Sequence, residues 1–464
     1  MTADDLFAIM PLLILSGGSV LLLLAGVVRP GGYLYGIAGA FAAAALLWNV
    51  AVPGDAVMPG LTITSFSRYF SAFLYGTGLV ALLLASDYSR RRGITGEEFP
   101  ATLLFALTGM GAACAANNLL MLFIALESFT FAFYILVAIE RDSETGGEAG
   151  LKYLLNGTLS AALMSMGIAL LYCSRGTLQL AELASLPATE PLYLTGSCLI
   201  LLGLAFKLSL VPAHLWTPDV YQGAPAPVTA LLSTASKAAT LAALLLFIPL
   251  VNGWRGIHDI FWMLALLSLV SGNLAALLQN SIKRMLAWSS IAQMGYVALA
   301  LAAAPSGGKA SAVFYAIMYA AAGLASFGAV SLLSDRRDRD ILEQYRGLGY
   351  KSPLAGAALA VSLFSLAGIP PTAGFMAKFA VFRSALRNGE TALTTVAILT
   401  ALVAVFFYLR VVVTLYMKPP GEQPGPDAPL TAAGVAALTI PTLVTLFLGV
   451  YPQPLLDLLT HIMA

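Results

Sequence analysis

Lys207, Lys237 and Lys378, together with Glu127 and His214, interrupt stretches that otherwise read as lipid-embedded helix. Each ionisable group held inside a bilayer costs roughly 2.5–3.5 kcal/mol on insertion scales. Amines and carboxylates at that depth exchange protons. The chemistry on offer is movement of charge across a membrane, with protons as the first candidate.

Of the 23 acidic residues, Glu127 alone falls mid-span, in MLFIALESFTFAFYI. It either relays protons and tunes a lysine, or locks two helices as a fixed salt bridge. Lys207 occurs in GLAFKLSLVPAHLWTPDVYQGAP, where Pro212 breaks the helix. Broken backbone at membrane depth is tolerated only where it lines protein or a water-filled cavity. His214 stands seven residues beyond Lys207, which on one helix face is about 10 Å. That spacing suits a relay through water, and a structural histidine is an equal alternative. Lys237 lies deep in LLSTASKAATLAALL among Ser233, Thr234 and Ser236, too far from either end to snorkel. Lys378 follows a second break, LAGIPPTAGFMAKF, supplied by Pro370, Pro371 and Gly374. Lys283 and Arg284 read as orientation anchors. Ser289, Ser290, Gln293 and Tyr296 then form a polar face able to carry water. Arg410, beside Tyr408, either snorkels or lines an exit path.

The elements that position these groups follow from composition. Charged residues make up 10% of the chain and hydrophobic ones 59%, where a soluble domain carries about 25% charged residues. The apolar runs are about 20 residues long, which suits spanning helices and not the short alternating strands of a barrel. The expected fold is an all-α integral membrane protein of about fourteen transmembrane helices. Helix 7 (Tyr193–Trp216) and helix 12 (Leu354–Ser384) are both interrupted by proline. Paired broken helices point to a transport site between repeats, and an offset of five spans makes the repeats inverted. The predicted organisation is helices 1–3 in 1–99, a first repeat of helices 4–8 in 100–250, a second of helices 9–13 in 251–417, and helix 14 in 418–464. Helix 8, over Ala226–Leu250, is read as one helix with Lys237 midway along it. Asp4 and Asp5 precede the first apolar run, unlike the basic start of a signal peptide. The Lys and Arg excess, including Arg90–Arg92, Lys283, Arg284, Arg336 and Arg337, falls on one side. The positive-inside rule then places both termini outside the cytoplasm.

The chain carries no dinucleotide fingerprint, Walker A loop or CxxC cluster. Cys114, Cys173 and Cys198 read as small buried side chains at unrelated spacings. A net charge of +1 gives no pointer to nucleic acid. Any energy must come from an ion gradient or a partner protein.

LESFTFAFYIL, GLKYLLNGTLSAALMSMGIALLY, GLAFKLSLVPAHLWTPDVYQGAPAPVTALLSTASKAA, NSIKRMLAWSSIAQMGY and SLAGIPPTAGFMAKF resemble the antiporter-like subunits of respiratory complex I. Within that family the N type is most similar. The TPDVYQGAP segment around Asp219 is specific to it, and Lys378 stands where the M type has a glutamate. The early end after the last span speaks against the L type. The resemblance implies a mid-membrane proton axis of Glu127, Lys207, Lys237 and Lys378, with Lys152 matching a family lysine. His214, Gln293, Tyr296 and Tyr408 would be accessory to that path. One departure is Gln293, where many relatives have a histidine; glutamine cannot titrate, so water would have to bridge there. The resemblance also implies a translocase in the bacterial inner membrane, assembled with other antiporter-like and small membrane subunits. NADH, FMN, iron–sulfur clusters and quinone would belong to partner subunits and none to this chain. A subunit of a cation/proton antiporter, a stand-alone carrier, or a purely structural membrane subunit remain the competing readings.

Magnitudes constrain the mechanism. A Glu127–Lys207 pair roughly 7 Å apart, at an effective dielectric of about 20, attracts by about 2.4 kcal/mol. Moving one charge against about 180 mV takes about 4 kcal/mol. At that spacing, separating the pair does not drive pumping alone.

Overall fold

The computed structural model describes residues 3–52, 54–254, 256–304, 307–334, 338–419 and 430–463. Arg255, Arg336, Arg337 and most of the polar stretch Lys418–Asp427 lie outside the described residues. The helices are α1 (Ala3–Val28), α2 (Tyr33–Ala51), α3 (Ser65–Arg92), α4 (Glu98–Ala115), α5 (Leu119–Val137) and α6 (Glu144–Arg175). Next come α7 (Leu180–Ser185), α8 (Pro191–Leu208), α9 (Thr217–Gly223), α10 (Ala226–Ser233) and α11 (Ala235–Phe247). The chain continues through α12 (Gly256–Leu277), α13 (Ile282–Ala302), α14 (Gly308–Leu332), α15 (Leu348–Lys351), α16 (Pro353–Ala367) and α17 (Ala373–Arg387). It closes with α18 (Thr391–Tyr416), α19 (Ala432–Val450) and α20 (Gln453–Met463).

Among the described residues, 13 helical stretches are long and apolar enough to cross a membrane. The fourteenth passage is the broken pair α16 and α17, whose first half is an apolar helix of only 15 residues. This is a multi-pass membrane protein. Its outer helices present bare Leu24, Leu47, Leu159, Leu402 and Phe447, because lipid, unlike water, imposes no penalty on exposed apolar surface.

Packing repeats at an interval of five passages. α4 lies on α5, α5 on α6, α6 on α8, and α11 returns to α4. Likewise α12 lies on α13, α13 on α14, α14 on α16 and α17, and α18 returns to α12. An odd interval reverses direction through the membrane, so the two five-helix units are inverted. α14 is buried along its whole length and forms the centre of the bundle.

Local signals set several boundaries. Thr64 and Ser67 form a capping box at the start of α3, and Ser143 caps α6. Both helices run past the apolar runs that mark their membrane portion. A small antiparallel hairpin, β1 (Ala56–Met58) with β2 (Leu61–Ile63), closes one end of the bundle. Asn117 Nδ2 donates to Met58 O at 3.0 Å and holds the hairpin against the start of α5.

Three expectations need correction. Helix 8 is not continuous: it breaks at Thr234 into α10 and α11. The freed hydroxyls of Ser233 and Thr234 both turn back to the Ala230 carbonyl. Two of the three cysteines, Cys173 and Cys198, are exposed on the outer surface of the helices, and only Cys114 is buried; with no charge to hide, a thiol sits in lipid-facing positions at little cost. Finally, Lys207 and His214 do not share a helix face. α8 ends at Leu208, where Ser209 takes φ 62°, and His214 lies in the irregular turn that follows.

Candidate functional site

Lys207 occupies the last turn of α8, where the negative end of the helix dipole favours a cation. Trp216 Nε1 donates to Phe206 O at 3.0 Å, a carbonyl that also accepts from Ser209 N at 2.9 Å, so the indole pins the last turn of the helix. Val211 N donates to Ser268 Oγ at 3.0 Å and ties the broken segment to α12. The Lys207 ammonium stands 3.0 Å from Glu127 Oε1 and donates to Thr130 Oγ1 at 2.6 Å. The 7 Å expected from sequence is therefore too long; the pair is in contact. Lys207 is 5% exposed and Glu127 24%, so the carboxylate sits at the rim of the chain while the amine lies inside it.

Lys237 opens α11 directly after the break at Thr234. It is 2% exposed and donates to Ser290 Oγ at 2.6 Å. Tyr319 donates to the same oxygen at 2.7 Å. The hydroxyls of Thr234 and Ser236 are spent on main-chain carbonyls, so they shape the helix and do not solvate the amine.

Lys378 lies on α17 and reaches back to the end of α16. Its ammonium donates to Leu366 O and Ala367 O, both at 2.9 Å. It also stands 5.0 Å above the Tyr296 ring. The counter-charge here is the carbonyl end of a half-helix, and among the described residues no carboxylate pairs with this ammonium. Gly368 makes this approach possible, with φ +87° and a position where a Cβ would meet Lys378 Cδ at 2.9 Å. A left-handed backbone costs a non-glycine residue about 1–2 kcal/mol. Gly368→Ala is expected to lose that much stability and to push the ammonium off both carbonyls. Proton translocation measured on the assembled, reconstituted protein checks this; a wild-type rate contradicts it.

Between Lys237 and Lys378 runs a chain of hydroxyls on α13, α14 and α18. Gln293 Nε2 donates to Leu366 O at 3.2 Å and to Tyr408 OH at 3.1 Å. Tyr315 donates to Gln293 Oε1, and Ser289 pairs with Tyr408. Gln293 thus shares a carbonyl with Lys378 and occupies a linking position without titrating. A cavity of about 10 Å³ lies among Gln293, Tyr315, Tyr319 and Ser365. That is about the space of one water, which would join Tyr319 on the Lys237 side to Gln293 on the Lys378 side.

The accessory residues take three positions. Tyr296 lies against Lys378, and Gln293 joins Tyr408 to the carbonyl that Lys378 also uses. Tyr296 donates to Ala397 O at 3.3 Å. His214 contacts the Pro212 carbonyl at 3.3 Å and the Trp288 ring at 5.3 Å. Its contacts with the described residues join it to neither lysine. Lys152 lies elsewhere, in a charged vestibule of about 960 Å³.

The vestibule gathers the end of α3, the α5–α6 turn, α9, the start of α13 and the segment after α14. All of these lie at one end of the bundle, as the helix count requires. Asp219 bridges Lys152 at 2.8 Å and Arg284 at 2.5 Å. Asp338 bridges Lys283 at 2.8 Å and Arg92 at 2.6 Å. Arg92 also holds Glu140 at 2.9 Å. Lys283, expected to be an anchor, is buried and held on two sides, since Ala224 O accepts from it at 2.6 Å as well as Asp338. Arg410 donates to Gln279 O.

Sequence reasoning missed Thr130, Tyr315 and Tyr319. The tyrosines stand four residues apart in FYAIMYAA, which puts both on one face of a fully buried helix. A buried phenol needs a partner, and that was the available signal. Among the described residues no three His, Cys, Asp or Glu side chains group as a metal site.

With this geometry in hand, known proteins give a consistent picture. The family described as NADH:quinone oxidoreductase/Mrp antiporter, TM, matches residues 116–404. The NADH-quinone oxidoreductase subunit N of Geotalea uraniireducens is 49% identical over 100% of both chains. A chain of respiratory complex I from Thermus thermophilus, with bound aureothin, is 34% identical with a TM-score of 0.83, over 96% of this chain and 98% of that one. A chain of the Mrp complex from Dietzia has a TM-score of 0.84 at 22% identity, covering 100% of this chain and 97% of that one, which is a likeness of fold alone.

Proposed function

Because this chain belongs to the NADH:quinone oxidoreductase/Mrp antiporter family, we propose that it is the N-type, proton-translocating membrane subunit of an NADH:quinone oxidoreductase. Redox chemistry at NADH, FMN, iron–sulfur clusters and quinone belongs to partner subunits, and this chain converts their signal into proton movement. It sits in the bacterial inner membrane with both termini on the periplasmic side and the charged vestibule on the cytoplasmic side. The segments 1–99, 100–250, 251–417 and 418–464 act as a scaffold, two inverted half-channels and a closing helix. Full-length identity to subunit N chains favours this reading over a cation/proton antiporter subunit, and so does Lys378.

The observation that carries the proposal is the Glu127–Lys207 contact at 3.0 Å, leading into Lys237 and Lys378. At an effective dielectric of about 20, opposite charges 3 Å apart attract by about 5.5 kcal/mol. Moving one charge against about 180 mV takes about 4 kcal/mol. Opening this contact is thus of the right size to be a driving step, unlike a looser pair. The partly exposed position of Glu127 on α5, 24% open, lets a neighbouring subunit pull on it. Lys207 then loses the charge that holds its proton and passes it toward Lys237, while Lys378 controls release on the far side. Lys152, His214, Gln293, Tyr296 and Tyr408 assist entry and transfer through water.

Glu127→Gln keeps the shape and removes the charge. In the assembled, reconstituted complex it is expected to lower protons translocated per electron, and Lys207→Met is expected to do the same. Wild-type coupling in both variants would overturn the proposal. Co-purification of flavin and iron–sulfur partners with this chain distinguishes the complex from an antiporter.

A further inference from the structure

One short helix separates the vestibule from the lysine axis. On α9, Asp219 and Gln222 line the vestibule, while Tyr221 between them turns inward and is fully buried. Its ring packs against Trp216 and Phe327, with centroids 6.1 and 6.0 Å away. It also lies 5.7 Å from the Lys237 ammonium. The Tyr221 hydroxyl is beside Ser290, the oxygen that accepts from both Lys237 and Tyr319. Ser290 is its neighbour, yet no contact of that hydroxyl with the described residues reaches full hydrogen-bond geometry. Buried polar groups in folded proteins almost always have a partner. An unpartnered phenol at this point has a donor and an acceptor free for a water or a passing proton.

We propose that the Tyr221 hydroxyl is the inlet relay between the vestibule and Lys237, an assignment that rests on the proton-translocating function above. A proton from vestibule water bonds to the phenol oxygen as the phenol proton leaves for Ser290 Oγ. The Ser290 proton leaves in turn for the neutral Lys237 amine. Each oxygen gives one proton for each it takes, and rotation of both hydroxyls resets the route. The other titratable groups facing this point are Tyr319 on α14 and Tyr153 on α6; on the vestibule side stand Lys152, Lys283, Arg284 and Arg92 with the carboxylates Asp219, Glu140, Glu148, Asp338 and Asp340.

Tyr221→Phe tests the relay, because it keeps the ring and its packing. A route that delivers protons limits most when protons are scarce. In reconstituted whole complex, proton flux in this variant is expected to be at least fivefold below wild type at pH 8 and within twofold at pH 6. Lys237→Met, measured alongside, is expected to lose flux at both pH values. Wild-type flux in Tyr221→Phe at both pH values, with Lys237→Met inactive, overturns the relay and leaves the function standing. A loss equal at both pH values marks a packing role and also overturns it. Wild-type flux in Lys237→Met takes Lys237 out of the path and overturns the relay, whose acceptor it is, while the function stands or falls with Glu127→Gln and Lys207→Met. Should Tyr221→Phe fail to assemble, Ser290→Ala cuts the next link; it must show the same pH-dependent loss, and flux without that dependence overturns the relay.

Discussion

Lys237→Met is expected to reduce proton translocation through this chain at least about tenfold, since a positioned acid–base group contributes about 10²–10⁴-fold to a proton-transfer step. The Lys237 ammonium donates to a single hydroxyl, Ser290, and no carboxylate pairs with it among the described residues. Methionine matches the length and apolar character of the stem, so the packing around α11 survives. The measurement is proton flux in proteoliposomes holding the whole complex, with subunit content checked by gel. Unchanged flux in a fully assembled variant would remove Lys237 from the path and leave it a structural cation.

The second large effect concerns stability. Asp338→Ala is expected to destabilise the chain by about 3–5 kcal/mol, the cost of breaking a buried ion pair by removing one partner. One carboxylate serves two cations here. Lys283 is 3% exposed and Arg92 is 9% exposed; Arg92 keeps Glu140, while Lys283 keeps only the Ala224 carbonyl among the described residues. Because the two cations stand on α13 and α3, the substitution loosens the vestibule and the union of the second repeat with the first helices. Thermal melting of the purified complex, or its yield in membranes, reports the change. Glu343→Ala is the comparison. Glu343 pairs with Lys418 at 2.7 Å, but both side chains are more than a third exposed, and exposed pairs contribute little. A melting point for Asp338→Ala equal to that of Glu343→Ala would contradict this account.

The two proline breaks were legible because proline removes a donor wherever it stands. The break at Thr234 was not, since neither glycine nor proline marks it. It exists because the Ser233 and Thr234 hydroxyls offer the local backbone another arrangement that only the packing of α10 and α11 selects. His214 shows the converse failure. Its seven-residue spacing from Lys207 has meaning on a continuous helix, and α8 ends between them.

The amino-acid order alone determined the membrane class, the approximate passages and the identity of the buried charges. The bilayer demands long apolar runs and penalises each ionisable group within them, so every exception is visible locally. Tertiary structure decided what each charge faces. Glu127 meets Lys207 across the bundle, Lys378 meets the carbonyl end of α16, and Asp338 joins α3 to α13. These partners lie far apart along the chain, and helix packing, not sequence spacing, sets the few ångströms between them.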